Sequence, residues 1–152
     1  LEEELKKFPN ALFQIDLKTD EVALPTIKII KNLDASNRVC IASFSSKRLQ
    51  LVKEKFPEIC LSMGPKEVLK LLLSSFGLYK KTIQGDCLQI PIYQYGIKLV
   101  TKRFIKFVQS MGLKIHVWTI NDEDTMEELI SLGVDGIITD RPKLLKDVLS
   151  RN

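Results

Sequence analysis

The chain has 152 residues, of which 45% are hydrophobic and 28% charged, and carries a net charge of +4. That is enough to bury one sizeable core in an ordinary globular domain. The basic residues are scattered, which argues against a nucleic-acid-binding arm and predicts no nucleic-acid partner. No apolar stretch is long enough to span a bilayer, and no signal peptide is visible. The chain starts at Leu1 inside a helical pattern, so it reads as a piece of something longer.

Leu5 and Phe8 give an opening helix, Leu1 to Phe8, a short apolar stripe that Pro9 and Asn10 stop. Ala11 to Lys18 reads as a strand with Phe13, Ile15 and Leu17 on one face and Gln14, Asp16 and Lys18 on the other. Pro25 suits the first turn of a helix carrying Ile27, Ile30 and Leu33. Val39 to Phe44 is strand again. Ser45 or Ser46 caps the next helix, with Leu49, Val52 and Phe56 inward and Pro57 closing it. A third strand, Ile59 to Met63, leads through Gly64-Pro65 into a leucine-rich helix that ends near Gly77.

A polar and basic loop, Leu78 to Asp86, precedes a short strand, Cys87 to Ile92, and an aromatic, glycine-containing loop, Tyr93 to Lys98. Thr101 caps a helix with Phe104, Phe107, Val108 and Met111 apolar, stopped by Gly112. Lys114 to Ile120 is β-branched and apolar, a buried strand. Asn121 or Asp122 caps the helix that follows, and Gly133 ends it. Gly136 to Thr139 is the last strand, and Arg141-Pro142 opens the last helix, which Asp140 is expected to cap.

Six strands with helices between them allow an open doubly wound sheet or a (β/α)8 barrel. No glycine-rich fingerprint follows the first strand. Two strands put polar side chains on the face away from the helices, Gln14, Asp16 and Lys18 in one and His116 beside Trp118 in the other. A barrel interior near its mouth explains that pattern better than a sheet covered on both faces. The expected class is therefore an α/β barrel with six strands rather than eight.

The run Val117-Trp118-Thr119-Ile120-Asn121, followed by Leu-Gly-Val-Asp-Gly-Ile-Ile-Thr-Asp-Arg-Pro at 132–142, closely resembles the C-terminal end of glycerophosphodiester phosphodiesterases. Phe13-Gln14-Ile15-Asp16-Leu17-Lys18 is similar to the family's third-strand motif, and Arg38 to Phe44 to its fourth strand. Leu88-Gln89-Ile90-Pro91 with Val100-Thr101 and Arg103-Phe104 resembles a bacterial branch. The resemblance covers nearly the whole chain. It implies a (β/α)8 barrel that uses a divalent cation, Mg2+ or Ca2+, to hydrolyse small glycerophosphodiesters to glycerol 3-phosphate and an alcohol.

The family's first two strands carry His-Arg-Gly, Glu-x-Asp and a His-Asp pair, and none of these occurs here. The only histidine is His116. The resemblance therefore implies the C-terminal portion of one barrel domain, residues 1–152, lacking strands one and two, the acid–base histidines and two metal carboxylates. Asp16 is then a metal ligand, Lys18 stabilises charge on a phosphate, and Trp118 is a flat wall for the glycerol or alcohol moiety. His116 reads as an interior imidazole, and Ser43 and Gln89 as lining residues. The alternatives are a degenerate barrel that binds glycerophosphate without catalysis, and one chain of a split barrel.

Cys40, Cys60 and Cys87 cannot all pair and show no Cys-x-x-Cys, so they read as reduced thiols of a cytoplasmic protein with no zinc site. Removing two barrel strands would expose edges on the strands at 11–18 and 136–139, through which the chain is expected to self-associate.

Overall fold

The computed structural model describes residues 1–80 and 83–151. The expected loop 78–86 contains residues 81 and 82, which lie outside the described residues. The chain divides into two compact units. The first comprises Leu1–Leu69 and Ile83–Asp86, and the second the other described residues.

In the first unit, helix α1 (Glu2–Lys7) leads to strand β1 (Phe13–Asp16). Helix α2 (Ala23–Asn32) and a 3-10 turn at Ser36–Arg38 lead to β2 (Val39–Ala42). Helix α3 (Ser46–Lys55) precedes β3 (Cys60–Leu61), and α4 (Pro65–Ser75), which follows it, belongs to this unit only as far as Leu69. The three strands form one parallel sheet in the order β1-β2-β3. Phe13 pairs with Val39 and Asp16 with Ala42 in the first ladder, and Cys40 with Cys60 in the second.

One side of this sheet carries the core. Leu17, Ile27, Ile30, Ile41, Val52 and Leu61 are buried together, with Phe13 and Ile15 packed against them. Leu5 is fully buried, whereas Phe8, the other half of the expected stripe, is exposed. Arg38 seats α1 by donating to the carbonyls of Leu5, Phe8 and Ala11. Ser45 is the cap of α3 and accepts from the Arg48 N–H.

The second unit contains β4 (Cys87–Ile90), the pair β5 (Tyr93–Gln94) and β6 (Ile97–Lys98), α5 (Lys102–Ser110) and β7 (Lys114–Val117). Helix α6 (Glu123–Leu132), β8 (Gly136–Ile137) and α7 (Pro142–Leu149) complete it. Its main sheet is also parallel and three-stranded, ordered β4-β7-β8. Gln89, His116 and Gly136 share one row across it. Ile115, Val117, Leu88 and Ile90 are buried, and Phe104, Ile105 and Val108 of α5 and Met126 and Leu129 of α6 are buried too.

All six expected parallel strands are present. They form two three-stranded parallel sheets among the described residues. The segment expected to be an aromatic loop is an antiparallel hairpin turning through Tyr95 and Gly96, both at positive φ. Thr101 caps α5, Asp122 caps α6, and Gly133 closes α6 in the left-handed conformation. No helix among the described residues is long and apolar enough to cross a membrane.

Candidate functional site

The sequence places Asp16 and Lys18 on either side of Leu17, and the fold fixes that residue firmly. The Leu17 side chain is buried. Its N–H donates to the Ala42 carbonyl at 2.8 Å. Its own carbonyl accepts from Ser43 Oγ at 2.9 Å and from Arg48 Nη1 at 2.6 Å. Arg48 also donates to Ser43 Oγ at 2.7 Å and holds Asp20 through Nε and Nη2. Three groups, two from the end of β2 and the residue after it and one from α3, thus fix the backbone between the two candidate residues.

With the backbone held, the Asp16 and Lys18 side chains leave the same side of the sheet. They meet in an ion pair from Lys18 Nζ to Asp16 Oδ2. Lys18 is mostly exposed, and its ammonium also stands 5.7 Å from the centre of the Phe44 ring. The other Asp16 oxygen, Oδ1, is buried with no hydrogen-bond partner. A buried acceptor without a donor costs about 1–3 kcal/mol, so an unpaired carboxylate oxygen calls for an explanation. A cation is the partner that a lone carboxylate oxygen suits best, while the adjacent ammonium remains open to an anion.

Ser43 was expected to line the site. Instead it is buried, accepts from the Ser45 N–H, and belongs to the clamp on Leu17. Sequence reasoning missed Arg48 and Phe44 as neighbours of the site. Arg48 sits three residues beyond a helix cap, with nothing in the local sequence to single it out.

Trp118 lies in the second unit, half-buried just beyond the C-terminal end of β7, with its N–H donating to the Ile90 carbonyl at 3.1 Å. Its peptide bond to Thr119 is cis. The structure therefore brings Asp16 and Lys18 together and puts Trp118 at the corresponding end of a different parallel strand. His116, one row deeper than Trp118, packs against Gly136, where a Cβ would come within 2.8 Å of His116 Cδ2. Its side chain is half-buried. Gln89 shares its row.

Asp140 does not cap the last helix. Arg141 occupies the cap position of α7, and no side chain bonds there. Asp140 Oδ2 accepts from Asn121 Nδ2 at 3.0 Å, and Asn121 Oδ1 accepts from the Asp140 N–H and from Thr139 Oγ1. Because Asp122 takes the capping role, Asn121 is free to tie the segments after β7 and β8 together.

The sequence profile of the glycerophosphoryl diester phosphodiesterase family matches residues 2–144. A Mycobacterium tuberculosis protein named "Probable glycerophosphodiester phosphodiesterase 2" is 33% identical over 158 residues, a match covering 98% of this chain and 59% of that protein. Among solved structures, the glycerophosphoryl diester phosphodiesterase domain of another M. tuberculosis protein superposes with a TM-score of 0.80 at 12% identity, covering 100% of this chain and 63% of that one. An Oleispira antarctica phosphodiesterase, solved with the product sn-glycerol-3-phosphate, superposes at 0.73 with 18% identity, covering 97% and 58%. These similarities assign the α/β fold of that barrel-type family. The chain spans about half the length of the curated relatives it matches.

Proposed function

The chain belongs to the glycerophosphoryl diester phosphodiesterase family, and from that membership we propose that it is the C-terminal part of a metal-dependent enzyme that hydrolyses small glycerophosphodiesters. Water attacks phosphorus, the P–O bond to the alcohol breaks, and glycerol 3-phosphate and the alcohol leave. The six parallel strands are six of eight in the full barrel. The outer edge of β1 in one sheet and of β8 in the other are where two further strands would pair.

The observation that carries this reading is Asp16 Oδ1, buried and unpartnered beside an exposed ammonium. Asp16 supplies one oxygen to a Mg2+ or Ca2+ ion, which needs about six to eight oxygen ligands. The other ligands come from outside this chain's third-strand motif. When bound, the cation neutralises charge on the phosphoryl oxygens. Lys18 does the same from its side, as its ammonium meets negative charge that grows in the transition state. Trp118 walls the glycerol or alcohol moiety. His116, held against Gly136, is not the general base, so the acid–base groups come from the portion that the relatives have and this chain does not contain. On this reading the chain alone does not turn over.

The test is a chimera. The N-terminal part of the M. tuberculosis relative outside the match is fused before Leu1, and glycerophosphocholine hydrolysis is followed with Mg2+ or Ca2+. Metal-dependent turnover that disappears with Asp16→Ala is the expected result. Turnover by the 152-residue chain alone, or chimera activity indifferent to Asp16→Ala, would overturn the assignment.

A further inference from the structure

Cys40 and Cys60 are twenty residues apart and form no sequence motif, yet the register of two strands sets them directly opposite each other. Cys40 of β2 pairs with Cys60 of β3. Parallel neighbours lie about 4.8 Å apart, and paired residues send their side chains to the same face. The two Sγ atoms lie within 4.8 Å of one another. Neither cysteine is in a disulfide, and both are half-buried.

The face is set by the residues that follow. Ile41 and Leu61 are 0% and 4% exposed and belong to the core cluster. By strand alternation, Cys40 and Cys60 point away from that core. Gln14 completes the row through its pairing with Cys40 and is exposed, so an amide group lies on the same row of the sheet.

We propose that Cys40 and Cys60 form a two-thiolate site for a single thiophilic cation of the Zn2+, Cd2+ or Cu+ class. The geometry fits one ion. With metal–sulfur bonds of about 2.3 Å, two thiolates on a tetrahedral ion are ~3.8 Å apart and on a linear one ~4.6 Å. Small side-chain rotations span that range. Thiolate sulfur selects soft d10 ions over the hard, oxygen-seeking Mg2+ and Ca2+. Binding replaces one proton on each thiol, so two protons are released for each ion. The remaining coordination positions fall to the Gln14 amide oxygen or to solvent.

The test uses the full 152-residue chain, stripped of metal and kept reduced. Cd2+ is titrated while the thiolate-to-cadmium charge-transfer band is followed, and iodoacetamide labelling is mapped by mass spectrometry. One Cd2+ per chain should bind, and Cys40 and Cys60 should lose labelling together, while excess Mg2+ protects neither. Cys87→Ala leaves only this pair of thiols. In that background, adding Cys40→Ser or Cys60→Ser should weaken Cd2+ binding at least 100-fold with the circular dichroism spectrum retained. The labelling experiment on the unaltered chain stands even where a variant fails to fold. Continued labelling of either cysteine at saturating Cd2+ would overturn the proposal. So would protection by Mg2+, or tenfold or smaller losses in the folded serine variants.

Discussion

Arg48 donates to the carbonyl oxygen of Leu17 at 2.6 Å, across thirty-one residues of sequence. The guanidinium is nearly buried, with 11% of the side chain exposed, and it serves Ser43 and Asp20 from the same position. Arg48→Ala should lower stability by roughly 2–3 kcal/mol, the range for losing charge-assisted hydrogen bonds to buried acceptors. Arg48→Lys should recover only part, because an ammonium lacks the planar fork. Urea unfolding of the three proteins measures both effects.

Asp16 should behave in the opposite way. It leaves one oxygen unsatisfied, and its ion pair with Lys18 is exposed on the lysine side. Exposed pairs are worth about 0–1 kcal/mol. In the metal-free chain, Asp16→Ala is therefore expected to unfold at the parental urea concentration or slightly above. In the chimera the same change should weaken metal binding and collapse the rate. Lys18→Ala should lower kcat by ~10²–10³. An Asp16→Ala chain markedly less stable than its parent would mean that the carboxylate has a structural role.

Gly136 has an ordinary negative φ, so its lack of a side chain matters for space rather than backbone freedom. A methyl group there would stand 2.8 Å from His116 Cδ2 and 3.3 Å from Cγ. Gly136→Ala should cost about 1–3 kcal/mol by overpacking. His116→Ala in the same chain should restore part of it, and a double-mutant cycle by chemical denaturation reads the coupling.

Asp135 gives a pH dependence. Burial pushes its carboxyl up. Bonds from Lys114 Nζ at 2.8 Å, the Ile115 N–H and Gln109 outweigh that and hold it below the usual 3.8. A folded value below the unfolded one means that the ionised group stabilises the fold above the unfolded value. That contribution is lost as the pH falls through about 3.8 toward the folded value. Asp135→Asn should therefore melt lower than the parent at pH 7, with the gap closing in acid. Melts at a series of pH values from neutral downward check the sign.

On the proposed eight-strand frame, β1 and β8 are the strands that lack a neighbour, and this should show in solution behaviour. Unpaired strand edges are satisfied by water or by another chain. The isolated chain is expected to elute from size-exclusion columns as dimers or larger species. Adding the relative's N-terminal part as a separate polypeptide should shift it toward a defined complex with a sharper melt. A sharply melting monomer, unchanged by that addition, would refute the eight-strand frame.

The strands and helices were legible because their apolar residues recur at periods of two and 3.6, and because Ser45, Thr101 and Gly133 are strong end signals. The hairpin at 93–98 was not. A two-residue turn with both φ angles positive is usually announced by Asn-Gly or Asp-Gly, and here Tyr95 takes the first position. Asp16 and Lys18 could be read from alternation along one strand. The clamp that fixes them could not, since Arg48, Ser43 and Asp20 converge only after β1, β2 and α3 have packed. Asp140 was misread because a carboxylate before a helix looks like a cap, whereas Asn121, released by Asp122, takes it instead.

The pairing of Cys40 with Cys60 also makes the first sheet self-reporting. Strand β3 is only two residues long, so few backbone bonds define its alignment. A slip of one residue would turn Cys60 into the core and Leu61 outward. A short bifunctional thiol reagent links the two cysteines most readily in the native alignment, where they stand opposite each other. Cross-linking yield, followed during refolding, is therefore a clock for the moment at which β2 and β3 find their register.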